Sequence, residues 1–235
     1  MKPLLSVVIP CLQAEAALER TRASWREADW AELIVQDATP HGVSQQGPGF
    51  RRYAEADAGI YDAMNRGLSR ATGRWVLFAG AGDVLVDGEA LKQALERGEA
   101  PLQVFGTALA PPREPGVPGA YPARWDAGLR WRHVVHHQGV CYRVGALSSA
   151  PFDVRWKVLA DYALHLKLWG AGCAAECHGF NALEVASGGV SRRFDAALYA
   201  EEWRMKRAVL GRLEAAIQLP WLVAKWAYKR AARWQ

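Results

Sequence analysis

Over the first 110 residues, short apolar runs alternate with segments of helical period, and that alternation leaves few folds open. LLSVVIP (4–10) is an apolar run ending at Pro, the pattern of a strand covered on both faces. A helical period follows in AEAALERTRASWRE, then a second strand in AELIVQD (31–37). FRRYAEAD gives a third strand, RWVLFAG a fourth and PLQVFGTALA a fifth. Between them, IYDAMNRGLSRAT has apolar residues at 60, 63, 64, 68 and 71 and is closed by Gly73. DGEALKQALERG starts near Asp87 and ends at Gly98, the residue types that begin and end helices. Strand and helix in turn predict an α/β doubly wound sheet, whose ligands sit beyond the carboxyl ends of the strands. Those ends carry Pro10, Asp37, Asp57 and Asp83.

The second half is less regular. TPHGVSQQGPG, earlier in the chain, reads as loop, and residues 111–135, rich in Pro, Gly and Trp, read as a long loop or lid. HHQGVCYRVGAL reads as strand into helix, 156–172 as a strong helix, CAAECHGFNALEVAS as strands, GGVS as a turn and 195–213 as helix.

Charge is distributed unevenly. Residues 201–235 carry eight basic and three acidic side chains, which accounts for the whole net charge of +5. The body is therefore near neutral and no nucleic acid partner is expected. The segment LPWLVAKWAYKRAARWQ interleaves Trp221, Leu222, Trp226 and Tyr228 with Lys225, Lys229, Arg230 and Arg233. It predicts a basic amphipathic helix suited to an anionic membrane surface; a terminal helix packed on the body is the alternative. The expected division is a domain over 1–200 and a Trp-rich helical extension over 201–235. No run of about 18 apolar residues predicts a membrane span. The N-terminal run is broken by Pro10 and reads as a strand, not a signal peptide. Four cysteines, Cys11, Cys141, Cys173 and Cys177, read as packed thiols, since CAAECH has no second ligand pair for zinc.

Several residues could carry chemistry. Asp83 in FAGAGDVL suits a hard divalent cation bridging a diphosphate, with Gly80 and Gly82 leaving room for a ligand; a loop Asp capping the next helix is the alternative. Asp161, early in a helix, reads as a general base or as helix electrostatics. His136, His137 and Gln138 lie beside a Gly. Gly188, Gly189, Ser191 and Arg192, in GGVSRR, suit a diphosphate loop or a plain turn.

Taken in order, strand–Pro10, strand–Asp37, DAGIYDAMNRGLSRATGRWVLF, GAGD, HQ, ADYALHL and GGVS resemble the family 2 glycosyltransferases with the GT-A fold, closest to bacterial surface-polysaccharide members. The resemblance spans about residues 4–195. It implies a GT-A, Rossmann-like, mixed and mostly parallel sheet flanked by helices, with the C-terminal amphipathic extension. It also implies an inverting transfer from a nucleotide-diphosphate sugar to a hydroxyl of a lipid-linked saccharide, at the cytoplasmic face of the plasma membrane. By resemblance, Pro10 and Asp37 flank the nucleotide base with Asp57 nearby. Asn65 and Gly67 line the donor pocket, and Asp62 belongs to the Tyr-Asp-Ala-Met-Asn signature. Asp83 matches the last metal-binding carboxylate, implying Mg or Mn, and Asp161 the general base. His137 and Gln138 match the acceptor side, and Gly188–Ser191 a loop near the site. The sequence departs from the family pattern at Gly80-Ala81-Gly82-Asp83, where Asp-x-Asp is usual, and in a shortened ATPHG after Asp37. A degenerate nucleotide-sugar-binding or scaffold protein is the competing reading, and the presence of both Asp83 and Asp161 argues against it. A nucleotidyltransferase lacks its Gly-rich phosphate loop here, and a dinucleotide-binding fold its G-x-G-x-x-G.

Overall fold

The structure, a computed structural model, describes residues 2–112, 118–186 and 195–231. One mixed sheet organises the chain. Its strands are β1 (Leu5–Cys11), β2 (Ala31–Asp37), β3 (Gln45–Gly47), β4 (Phe50–Ala54), β5 (Trp75–Phe78), β6 (Val84–Leu85), β7 (Leu102–Leu109), β8 (Ala120–Tyr121), β9 (Val140–Arg143) and β10 (Ala175–Val185). The order is β3-β4-β2-β1-β5-β9-β7-β10-β6, with β8 on β7. The block β4-β2-β1-β5 is parallel, as is β7-β10. The antiparallel ladders, including both of β9, are short.

The period of two in β1 explains the layers. Leu5, Val7 and Ile9 point to one face, with Val35, Leu77, Leu91 and Leu95; Val8 points to the other, with Ile34, Phe78, Met64 and Tyr162. Helices α1 (Glu15–Ser24) and α3 (Gly88–Arg97) cover the first face. Helices α2 (Ile60–Ser69), α4 (Ala160–Gly170) and α5 (Ala196–Val209) cover the second. Helix α3 starts and stops as expected: the Asp87 carboxylate accepts from the Ala90 N–H and Gly98 is the C-cap. Pro10 lies inside β1, opposite Gln36, beyond the end of β5. Its missing N–H therefore leaves no gap in that ladder.

Several expectations are corrected. Helix α2 stops at Ser69, and Gly73 instead lets the chain cross β1, since a Cβ there would lie 2.8 Å from the Ser6 N. The stretch read as loop before β4 contains β3. After β9 the chain makes only a short 3-10 turn, Val144–Ala146. Residues from Trp125 to Val135 are anchored, not a lid: Leu129 and Val135 are in the core, and the Trp125 Nε1–H donates to the Cys173 carbonyl at 3.0 Å. Helix α5 runs through the boundary expected at 200/201, and its Met205 is fully buried in the same core as Val8.

Gly211, at φ +95°, separates α5 from α6 (Arg212–Ala231). Helix α6 packs with its polar groups inward. The fully buried Lys206 ammonium donates to the Trp131 carbonyl and the Gln218 Oε1, both at 2.9 Å, and pairs with Glu202 at 3.2 Å. Lys225 reaches the same Glu202 at 3.0 Å. The outward face of α6 is apolar, with Leu213 79%, Ile217 63%, Trp221 48% and Val223 54% exposed. The amphipathic helix expected from sequence is thus inverted around Leu222 and Lys225, which face the body.

Candidate active site

Asp83 follows β5 in a tight turn. Its Oδ2 accepts from the Gly80 N–H at 2.6 Å and its Oδ1 from the Ala186 N–H at 2.9 Å. Burial raises its carboxyl above the ordinary range, against the pull of these N–H groups and of nearby His137. The glycines around it do not leave open space. A Cβ on Gly80 would meet the Asp83 carboxylate at 3.3 Å, and one on Gly82 the Ala186 Cβ at 3.0 Å. Gly82 also adopts φ +104°, a left-handed backbone that favours glycine. Ala186 brings the end of β10 to Asp83. Gly188, Gly189, Ser191 and Arg192 lie outside the described residues.

Asp161 sits in the first turn of α4. Its Oδ1 accepts from the Tyr162 N–H at 2.7 Å and lies 3.1 Å from the Tyr61 hydroxyl, which also donates to the Val158 carbonyl at 2.6 Å. Its Oδ2 lies 2.9 Å from His137 Nδ1. Burial pushes its carboxyl up, but the imidazoles of His133 and His137 outweigh that and hold it well below the usual range. The helix N-terminus favours the same anion. The Glu201 Oε1 on α5 accepts from the Val158 and Leu159 N–H groups at 2.8 and 3.0 Å, which satisfies the two donors just before the helix.

Beside this pair, His136 stacks on Tyr121 with ring centroids 4.5 Å apart. Burial lowers its imidazole to about 4, so it is neutral at pH 7, and Gln138 is its hydrogen-bonding neighbour. Deeper, His133 Nε2 lies 3.1 Å from His165 Nδ1, and the Tyr142 hydroxyl lies 2.6 Å from His165 Nε2. Burial lowers both imidazoles from their ordinary value.

The residues expected on the donor side are engaged with other side chains or with the backbone. Asp37 is fully buried; its Oδ1 accepts from the Thr39 N–H at 2.9 Å and its Oδ2 from Arg52 Nε at 2.9 Å. Asp57 Oδ1 accepts from the Gly59 N–H, and Asp62 Oδ2 from the Ala58 N–H and Arg66 Nε, each at 2.9 Å, so both carboxylates organise the start of α2. The Asn65 amide is occupied on both sides by the Phe152 main chain, donating at 2.8 Å and accepting at 3.1 Å. Its place is between α2 and the segment leading to α4, where Asp62, Asn65 and Phe152 line a cavity that opens toward Leu168. Asp161 is joined to His137, which in turn acts on the Asp83 carboxyl, while Asp37 is held at β4 by Arg52 and Asp57 and Asp62 are held at the start of α2.

Residues 6–118 match the model for Glycosyl transferase family 2. Residues 6–118 are a family 2 glycosyltransferase domain. Over 180 residues the chain is 28% identical to the PGL/p-HBAD biosynthesis glycosyltransferases of Mycobacterium bovis and Mycobacterium tuberculosis, a match covering 70% of this chain and 69% of theirs. Its fold is similar to that of S. aureus TarS 1-349 in complex with UDP, at TM-score 0.62 and 15% identity, covering 93% of this chain and 65% of that one. It is also similar to the mannosyltransferase PcManGT from Pyrobaculum calidifontis in complex with GDP-Man and Mn2+, at TM-score 0.60 and 17% identity, covering 99% of this chain and 75% of that one. The sheet and its helices have the GT-A arrangement, and residues 6–118 carry the family 2 domain.

Sequence reasoning singled out Asp161 but not the side chains that surround it. Tyr61, inside the Tyr-Asp-Ala-Met-Asn signature, reaches Asp161 from 100 residues away. Glu201 reaches the same helix start from α5. The only sequence signal for either is an aromatic or acid in a helix that needs none. For a divalent cation the donor set is thin: among the described residues no group of three His, Cys, Asp or Glu gathers. Among the described residues Asp83 fits, as a buried carboxylate with no Lys or Arg of those residues paired to it. A hard cation needs only one or two protein carboxylates when diphosphate oxygens and water complete its shell.

Proposed function

We propose that the chain moves a sugar from a nucleoside-diphosphate sugar to a hydroxyl of a saccharide acceptor by a single in-line displacement that inverts the anomeric carbon. The observation that carries this is the contact of the anionic Asp161 with His137 at 2.9 Å, with His137 near enough to Asp83 to act on its carboxyl. In this reading the pair supplies proton acceptance for the attacking hydroxyl, and Asp83 serves the diphosphate side. Mg or Mn held at Asp83 would stabilise the leaving diphosphate. The neighbours bound to UDP and GDP-Man support a nucleotide-sugar donor.

A lipid-linked acceptor and a place at the membrane surface belong to the same proposal. The relatives named for PGL/p-HBAD biosynthesis support a lipid-linked acceptor. The outward apolar face of α6, with Trp221 half exposed and Arg207 and Arg212 exposed nearby in the chain, supports contact with an anionic bilayer. No helix among the described residues is long and apolar enough to cross a membrane.

The test is release of nucleoside diphosphate from a panel of nucleotide sugars, with Mg2+, with Mn2+ and with chelator, for the wild-type chain, Asp83→Asn and Asp161→Ala. Metal-dependent release from one donor, lost in Asp83→Asn, is expected. Tight donor binding without turnover, even with lipid-linked acceptors present, points instead to a binding protein. Cosedimentation with anionic vesicles, lost in Ile217→Glu/Trp221→Glu, checks the membrane contact.

A further inference from the structure

We infer that the chain has a second ligand site, for a neutral saccharide, at the end of the sheet opposite Asp83. It is a cavity of about 580 Å³ between the last turn of α1 and the first residues of β2 and β4. That volume lies in the range of small-molecule pockets. Strands β1, β2, β4 and β5 are parallel, and Asp83 follows the carboxyl end of β5. The cavity instead touches Ala31 and Phe50, the residues that open β2 and β4. The seven residues of β2 put about 20 Å between the two ends of the sheet. A ligand bound here is therefore not the one undergoing transfer.

The chemistry of the wall points to the ligand. Trp25, the C-cap of α1, is 4% exposed and forms part of the wall. Its indole Nε1 is buried and has no hydrogen-bond partner among the described residues. A buried indole N–H is normally paired, and an acceptor oxygen brought in by a ligand would supply the missing partner. Nearby, the Arg22 guanidinium lies over the Phe50 ring, 4.3 Å from its centroid, and both line the cavity. Four charged side chains share that lining, Glu19 and Asp29 against Arg22 and Arg26, two of each sign. Arg22 and Glu19 pair at 3.4 Å and stay partly exposed, so both keep hydrogen-bonding capacity. A phosphate, a nucleotide or a metal cation would meet as many like charges as opposite ones. Saccharide hydroxyls both donate and accept, which suits carboxylates and guanidiniums in equal number, and saccharide C–H faces suit the apolar wall around Phe50.

The cavity is formed before any ligand arrives. The Trp25 N–H donates to the Arg22 carbonyl at 3.3 Å, and the Trp30 ring packs edge-on against the indole with centroids 6.1 Å apart. Across the cavity, the Leu33 N–H donates to the Gly49 carbonyl at 2.8 Å, which ties the turn before β4 to β2. Asp161 and its partners lie on α2, on α4 and in the turn before β9, so the two sites share no side chain. The second site would hold a free saccharide, or a part of a longer one, away from the reacting end.

The experiment reads the indole N–H directly and needs no turnover. In 1H–15N spectra of the full chain, the Trp25 indole signal is identified by its loss in Trp25→Phe, or by sequential assignment if that variant does not fold. Glucose, mannose, galactose, rhamnose and N-acetylglucosamine are titrated one at a time, with inorganic phosphate and Mg2+ as charged controls. A saturable downfield movement of the Trp25 indole proton is expected with at least one sugar at millimolar concentration and with neither control. Arg26→Ala/Asp29→Ala alters only exposed side chains and is expected to weaken that sugar at least about fivefold, the effect of losing one net hydrogen bond. Asp161→Ala, at the other end of the sheet, is expected to leave the titration unchanged. A Trp25 signal that no sugar moves, or that phosphate alone moves, overturns the inference. So does a movement that survives unchanged in Arg26→Ala/Asp29→Ala, or one that is lost in Asp161→Ala and so belongs to the catalytic end. The donor panel scores transfer and this titration scores the opposite end of the sheet, so failure of one leaves the other standing.

Discussion

Gly67 is the residue on which α2 rests against the sheet, and replacing it sets two effects of opposite sign against each other. An added Cβ would lie 2.3 Å from Val8 Cγ1 and 3.4 Å from both Val8 Cβ and Cγ2. Carbon contacts are favourable near 3.5–4.0 Å, so helix and strand must separate by about 1.3 Å or Val8 must rotate. Val8 is β-branched and fully buried in the centre of the sheet, so it has little freedom to yield. Overpacking costs about 1–3 kcal/mol, and an overlap this deep on a side chain this rigid lies in the upper part of that range, about 2–3 kcal/mol. Against it, Ala in place of Gly inside a helix gains about 1 kcal/mol. The expected net result for Gly67→Ala is a loss of about 1–2 kcal/mol, read from the midpoint of urea unfolding at constant slope. Val8→Ala removes the obstructing methyl. The double variant is then expected to be more stable than the sum of the two single effects by about 1–2 kcal/mol. Because Tyr61 and Asn65 are on the same helix, donor turnover in Gly67→Ala falls and recovers in the double variant. A Gly67→Ala chain as stable as wild type, or no coupling with Val8→Ala, would refute the claim that this glycine is set by the helix–strand distance.

Other outcomes follow from the same geometry. Tyr61→Phe keeps the ring stacked on Phe152 but removes the hydroxyl from Asp161 and Val158; a loss of about 1–2 kcal/mol in urea and a drop in kcat larger than any change in donor KM are expected. Glu201→Gln keeps an oxygen for the Val158 and Leu159 N–H groups, whereas Glu201→Ala leaves both buried donors unpaired; thermal melts should place the first near wild type and the second about 2–5 kcal/mol lower. Burial raises the Asp37 carboxyl, but Thr39 and Arg52 outweigh it and hold it below the ordinary range. Its contribution is therefore present above the unfolded carboxylate value, near 4, and lost as pH falls through the folded value. Arg52→Met should accordingly be less stable than wild type at pH 7, and the gap in urea midpoint should narrow at pH 3.

How much of this was legible in the sequence depends on the range of the interaction. Strands β1, β2 and β5 and helix α3 are written in local patterns: unbroken apolar runs, an Asp cap and a closing Gly. The end of α2 was misplaced because Ala71 continues its apolar period while Arg70 already ends the helix and Gly73 serves a crossing of β1. Residues 125–135 look like loop because nothing local pairs their backbone. Their order comes from Tyr162 bonding to the Leu129 carbonyl, Lys206 bonding to the Trp131 carbonyl and Leu129 buried in the core. In the site, Asp161 was legible by type and position. Its bond to His137 spans 24 residues and its contact with Tyr61 spans 100, and no local period encodes either. The bond of Asn65 to Phe152 likewise spans 87 residues.

The route of α5 bears on how such a transferase can be recombined. The helix start that carries Asp161 is held by a side chain on α5, beyond residue 200. Strands β1 to β7 precede residue 110, whereas Asp161, His137 and the helix that supports them all follow it. Exchange of acceptor preference between related chains should therefore succeed with a junction near the end of β7 that carries everything through α5 as one piece. A graft that stops at residue 200 leaves Glu201 behind and with it the register of α4. The modular unit of this protein is a strand-and-helix half that reaches into its own C-terminal region, so the natural cut lies in the middle of the chain, not at the edge of its tail.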